Sequence, residues 1–183
     1  MRICVFCGSR MGARPEYRAA AETVGRELAR RRIGLVYGGS HVGLMGAMAD
    51  ACLAAGGEVI GVIPRSMEQR EIAHTGLTQL HVVESMHERK ALMAAFADAF
   101  LALPGGMGTW DELCEILTWA QLGLHAKPCA ALNTEGYFDA FCAMLEGAAE
   151  EGFLTPTDRD RLVFSSSPSA AVEDLELRAA ASV

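Results

Sequence analysis

Three glycines in four positions, Gly105, Gly106 and Gly108, separate the apolar run Ala99-Phe100-Leu101-Ala102-Leu103 from Leu113-Cys114-Glu115-Ile116-Leu117-Thr118-Trp119, whose apolar residues recur at helical spacing. A short buried strand that breaks at a glycine turn and opens directly into a helix belongs to few architectures. The turn also has a chemical consequence. Backbone N–H groups with no Cβ in the way, at the positive end of a helix dipole, suit an anion.

The same grammar recurs along the chain. Ile33-Gly34-Leu35-Val36-Tyr37 meets a second turn, Gly38-Gly39-Ser40-His41-Val42-Gly43-Leu44-Met45-Gly46, and a small-residue helix that ends near Ala55-Gly56-Gly57. Further strands are predicted at 2–6, 58–63, 79–83, 128–132 and 162–165, and helices at 16–31, 85–97, 109–122, 137–151 and 168–181. Ser85 and Glu88 have capping-box spacing at the start of one of these helices, and 64–76 reads as a polar connection of functional length. Strands apolar on both faces that alternate with helices imply an α/β fold: one doubly wound, Rossmann-like parallel sheet flanked by helices, with right-handed crossovers. At 183 residues the chain is expected to form a single domain, 1–183.

Composition narrows the function. No apolar run approaches the roughly 20 residues of a membrane span, and the short N-terminal strand is broken too soon for a secretory signal. A net charge of −7 argues against binding a nucleic-acid polymer, and Arg30-Arg31-Arg32 reads as a solvated helix end. The six cysteines lie mostly in apolar segments, which suits free thiols in a reducing cytoplasm. Cys4-Val5-Phe6-Cys7 has redox-motif spacing, but its first cysteine sits inside a strand, so packing is the better account. The five histidines have no metal-ligand spacing, and no metal or cofactor is expected.

In an open parallel sheet, ligands bind beyond the carboxyl ends of the strands, where both glycine turns must lie. Neither turn is a dinucleotide fingerprint or a P-loop, and tight strand-to-helix turning alone accounts for such turns about as well as ligand binding.

Ser85-Met86-His87-Glu88-Arg89-Lys90, followed by Pro104-Gly105-Gly106-Met107-Gly108-Thr109-Trp110-Asp111-Glu112, resembles the LONELY GUY family of phosphoribohydrolases, often labelled lysine decarboxylases. Cys7-Gly8-Ser9, Gly38-Gly39 with Gly43-Leu44-Met45-Gly46, and Thr118-Trp119-Ala120-Gln121-Leu122-Gly123 extend the resemblance over roughly residues 3–155. It implies hydrolysis of the N-glycosidic bond of adenosine 5′-monophosphates, N6-modified ones included, to a free base and ribose 5-phosphate. Such a reaction builds positive charge on the ribose, so it needs a carboxylate near the anomeric carbon and an anchor for the phosphate.

The resemblance assigns Glu112 to the developing cation and the attacking water, and Arg89 to the phosphate or sugar hydroxyls. Glu71 would accept ribose hydroxyls, although Gln69-Arg70-Glu71 departs from the family's Pro-Arg-Glu form. Gly106, Gly108 and Thr109 would hold phosphate through backbone N–H groups and the threonine hydroxyl, with Gly105 and Met107 beside them on the substrate side. Lys90, Asp111 and Thr118 are further substrate-side candidates, with Gly8, Ser9, Gly38 and Gly39 on the crevice floor and Arg10 reaching in from the first loop. Met86, Met107 and Trp110 are candidate walls for the base. The family's habit implies a homodimer with sites near the interface.

Two rivals stand beside this. A decarboxylase would need Lys90 or Lys127 for a pyridoxal phosphate Schiff base, these being the two lysines of the chain. A non-catalytic nucleotide carrier or sensor would need the glycine turns but not Glu112.

Overall fold

The computed structural model describes residues 1–68 and 72–181. Seven strands, β1 (Arg2–Phe6), β2 (Gly34–Tyr37), β3 (Val59–Pro64), β4 (Gln79–Val83), β5 (Ala99–Ala102), β6 (Cys129–Leu132) and β7 (Leu162–Ser165), form one sheet in the order β4-β3-β2-β1-β5-β6-β7. Every pairing is parallel. The helices are α1 (Pro15–Arg30), α2 (Gly43–Ala54), α3 (Arg65–Glu68), α4 (Met86–Phe96), α5 (Met107–Gln121), α6 (Asp139–Glu150), α7 (Pro156–Arg159) and α8 (Pro168–Ala181), with a 3-10 turn at Thr134–Gly136. The expected doubly wound sheet is what the chain forms.

Alternate residues of the central strands feed two separate cores, as a period of two demands. Ile3, Val5, Leu35, Tyr37, Leu101 and Leu103 pack against α1, α2 and α8 on one face. Cys4, Phe6, Val36, Val62, Phe100 and Ala102 pack against α4, α5 and the start of α6 on the other. Among the described residues no helix is long and apolar enough to cross a membrane.

Several boundaries differ from expectation. α5 begins at Met107 rather than 109, because Gly106 caps the helix and Gly108 falls within its first turn instead of preceding it. The polar connection after β3 opens with the four-residue helix α3, and α7 interrupts the segment before β7; helices this short carry too little periodicity to read. Arg31 is not solvated. Its side chain is mostly buried and joins Glu27 of α1 to Glu173 and Glu176 of α8.

Candidate active site

The sheet order fixes where a ligand can lie. β1 and β5 are neighbours, yet the chain leaves β1 for α1 on one face and β5 for α5 on the other, so their exit loops diverge at the switch point. Between them is a crevice of about 450 Å³, walled by Gly8 and Ser9 on one side and by Gly105, Gly106 and Met107 on the other, with Tyr17 and Tyr137 at its end. The walls are tied together. Gly8 N–H donates to the Pro104 carbonyl at 3.1 Å, Leu103 N–H to the Phe6 carbonyl at 2.8 Å, and Leu44 N–H of α2 to the Gly8 carbonyl at 3.0 Å. Arg10 also lines the crevice.

The anion-holding geometry belongs to the start of α5. Gly106 is its N-cap and supplies no capping side chain, and the first intrahelical bond is Trp110 N–H to the Gly106 carbonyl at 3.1 Å. The N–H groups of Met107, Gly108 and Thr109 therefore have no helical acceptor and lie at the positive end of the dipole. A Cβ at Gly106 or Gly108 would meet nothing within 4 Å, so both positions face open space. Thr109 is buried beneath Gly105, whose missing Cβ leaves room for the threonine hydroxyl.

Glu112 lies about 7.5 Å along the axis from Met107, where the helix begins. It is 7% exposed, and Arg89 Nη1 donates to its Oε1 at 2.7 Å. Arg89 is delivered by α4, whose start matches the capping signal: Glu88 N–H donates to the Ser85 hydroxyl, while the Glu88 carboxylate accepts from Glu84 N–H. The guanidinium is seated by one backbone bond and by the space that Gly38 leaves. Nε donates to the Val62 carbonyl of β3 at 3.0 Å, and Nη2 lies over Gly38, where a Cβ would fall 2.0 Å from it. Only glycine can stand at that position without displacing the arginine.

Burial raises the pKa of Glu112 above the usual carboxylate range, and the Arg89 charge and hydrogen bond pull it back only in part. Beneath the pair, burial and the Glu112 charge push the Cys7 thiol far up, and burial does the same to Cys4. These are packed thiols, not a redox pair.

Other candidate residues fall elsewhere. Lys90 Nζ is clamped between Asp111 Oδ2 at 3.1 Å and Glu115 Oε2 at 3.0 Å. Burial alone would lower its pKa, but the two carboxylates outweigh burial and raise it. Thr118 is exposed and donates to the Cys114 carbonyl of its own helix; it borders a groove between α5 and α6, not the crevice. Lys127 precedes β6, at the N-terminal ends of the strands and away from the crevice, and donates to the Ala94 carbonyl. Gly39 accepts from His74 N–H, and His41 N–H donates to the Ile72 carbonyl, so the segment resuming at Ile72 runs along the β2–α2 turn. Glu71 lies outside the described residues. Met86, Met107 and Trp110 are exposed.

The sequence offered no signal for the Val62 carbonyl under Arg89, nor for Tyr137, whose hydroxyl donates to the Gly105 carbonyl. A backbone acceptor carries no residue identity, and a tyrosine at a helix start reads as core.

A family described as "Possible lysine decarboxylase" matches residues 45–175. The chain is 51% identical over 171 residues to a cytokinin riboside 5′-monophosphate phosphoribohydrolase of Rhodococcoides fascians, covering 93% of this chain and 86% of that protein. It is 49% identical over 175 residues to an enzyme of the same name from Arabidopsis thaliana, covering 96% and 82%. Among solved structures, the molybdenum cofactor binding protein of Rippkaea orientalis shares the fold at a TM-score of 0.73 and 22% identity, covering 96% of this chain and 95% of that one.

Proposed function

The chain belongs to the cytokinin riboside 5′-monophosphate phosphoribohydrolase family, and from that premise we propose that it hydrolyses the N-glycosidic bond of adenosine 5′-monophosphates, N6-modified ones included, releasing the free base and ribose 5-phosphate. One observation carries this most directly: a buried carboxylate, Glu112, lies on the same helix whose uncapped N-terminus faces the crevice. Phosphate on the N–H groups of Gly106, Met107, Gly108 and Thr109 leaves the ribose to extend toward Glu112.

Departure of the base leaves positive charge on the ribose ring, and an ionised Glu112 in a poorly solvated site is opposite in sign to it. The same carboxylate orients the attacking water and accepts its proton as the C–O bond forms; the base departs with the C–N bonding pair and takes up one proton, which regenerates the carboxylate. Arg89 favours the ionised form of Glu112, offsetting part of the effect of burial, and its hydrogen bond fixes the position of Oε1. Gly8 and Ser9 form the opposite wall, and the ribose hydroxyls are assigned to Glu71.

Lysine chemistry finds little support here, whatever the family's label. Lys90 is held by two carboxylates and Lys127 lies at the opposite ends of the strands from the crevice.

The assembly we propose is a homodimer in the cytoplasm. α6 buries none of its residues fully although it carries Phe141, Met144 and Leu145, and the neighbouring Leu122, Leu124 and Phe153 are exposed. A second copy on the α5–α6 side would cover them, and Thr118 would then meet substrate only across the subunit boundary. All six cysteines are free, which suits a reducing compartment.

The test is incubation with AMP and with N6-isopentenyl-AMP, following free base and ribose 5-phosphate. Release of both, abolished by Glu112→Gln with nucleotide binding retained, is the expected result. Binding without cleavage of either nucleotide would instead leave a carrier or sensor.

A further inference from the structure

The Gly105–Gly106 peptide is the weakest point of the anion cradle. Gly105 cannot carry a side chain, since a Cβ would lie 2.1 Å from the Thr109 hydroxyl and 2.9 Å from Gly8 N. Gly106 carries none either, so the peptide between them has no Cβ on either side to resist a half-turn. A flip would exchange an N–H for a carbonyl oxygen at the place where the phosphate is to sit.

One side chain opposes that flip. The Tyr137 hydroxyl donates to the Gly105 carbonyl from the β6 side of the turn. In a trans peptide the carbonyl and the following N–H point in opposite directions, so an oxygen held toward β6 aims Gly106 N–H at the β1 side, where Gly8 and Ser9 form the facing wall. Tyr137 is itself held firmly. Its N–H donates to the Thr134 carbonyl, its ring meets buried Phe138 edge-on at 5.0 Å, and Tyr17 of α1 meets it edge-on at 5.8 Å.

We propose that Tyr137 is a positioning residue for the hydrolysis, locking the Gly105–Gly106 peptide with its N–H toward the substrate phosphate. This rests on the phosphate being held at the start of α5, as proposed above. Tyr137 touches no reacting atom, so it acts on phosphate affinity and not on bond cleavage.

Flipping carries the Gly106 φ from −101° to about +79°, a region open to glycine and disfavoured for alanine. Gly106→Ala should therefore replace the lock by other means, and the protein has room for the methyl group. The experiment is a double-mutant cycle of Tyr137→Phe and Gly106→Ala, read by the KM and kcat for AMP and by the inhibition constant of ribose 5-phosphate. In the parent background, Tyr137→Phe is expected to raise KM and the inhibition constant together by about ten-fold, the scale of one hydrogen bond, with kcat held within about two-fold. In the Gly106→Ala background, the same change should cost less than about two-fold.

Equal costs in both backgrounds, an unchanged KM, or a loss confined to kcat would overturn the lock. The unsubstituted protein supplies a measurement that does not depend on the variants folding: the Gly106 amide resonance should move when ribose 5-phosphate is added, and a fixed resonance with the ligand bound would refute the assignment. Ribose 5-phosphate affinity is also read without turnover, by direct titration of each variant, so a protein that binds ribose 5-phosphate but cleaves no nucleotide defeats the functional proposal, while the titrations still decide the lock.

Discussion

Glu112 and Glu27 are 7% and 8% exposed, and both are paired with arginine, yet their pKa values move in opposite directions. Glu27 closes the end of α1. It accepts from Arg30 Nε and Nη2 at 2.8 and 2.7 Å and from Arg31 Nε at 2.6 Å, and these arginines lower its pKa to about 2. Glu112 accepts one guanidinium bond, from an arginine whose Nε donates to the Val62 carbonyl and whose Nη2 lies over Gly38. With a single guanidinium donor, burial dominates at Glu112, and its pKa rises. A carboxylate supplied with several donors near the surface is a structural tie. One that is enclosed and under-supplied has accepting capacity left for a substrate or a water.

The largest effect expected from this contrast is on Glu112 itself. Glu112→Gln keeps the shape and can still accept from Arg89, but it cannot balance a ribosyl cation. Release of base should fall by about 10³-fold or more. Thermal stability should stay within about 1 kcal/mol of the parent, because an amide buried there no longer bears the cost of a charge. Urea unfolding alongside the product assay checks both halves, and a parallel loss of stability would place Glu112 with Glu27 among the structural ties.

Arg89→Gln comes next, with a fall in kcat/KM of about 10²-fold. Its pH profile is the sharper reading. Glu112 must be ionised to act, so activity falls as pH drops through its pKa, and that acid limb lies above the ordinary carboxylate value because burial raises it. Arg89 is the main opposing influence. Removing its charge lets the pKa rise further, so the limb should move to higher pH; a limb that stays or moves down would show that Arg89 does not hold the charge on Glu112. Gly38→Ala tests the same seat by crowding. The new methyl would fall 2.0 Å from Nη2 and 3.0 Å from the Met45 sulfur, so a loss of about ten-fold in kcat/KM and about 1–3 kcal/mol in stability is expected.

How far these features were legible in the sequence follows from the range of the interactions that fix them. Strands apolar on both faces, and glycines where they end, are local, and they yielded the parallel sheet and its elements within a few residues. The β1–β5 adjacency that creates the crevice joins segments far apart in the chain, Ile3 opposite Ala99. Spacing alone says only that the glycine turns share one edge of the sheet. Arg89 and Glu112 were named through a resemblance of motifs, and the hydrogen bond between them was not. The motif did not show that Lys90 faces Asp111 and Glu115 instead of the crevice, or that Thr118 lies on the α5–α6 side, because the rotation of α4 and α5 is set by packing on the sheet. Arg31 was misjudged for the same reason: the partners that bury it, Glu173 and Glu176, come from the far end of the chain.

The smallest effect lies on the structural side of the comparison. Glu27→Gln should leave kcat and KM unchanged, since α1 ends at the edge of the sheet opposite the crevice. At neutral pH it should cost about 1–2 kcal/mol, for charge-assisted bonds to Arg30 and Arg31 become neutral ones and the tie from Arg31 to α8 loosens. The sign with pH follows from the lowered pKa. Its stabilisation is complete above the ordinary value of 4.5 and is lost as pH falls from there through about 2, where both folded and unfolded carboxyls become protonated. The gap in unfolding free energy between parent and variant should therefore close across that interval. A gap that persists unchanged at pH 2 would mean that the site is held by shape and packing, and that its three guanidinium bonds contribute little beyond the single bond at Glu112.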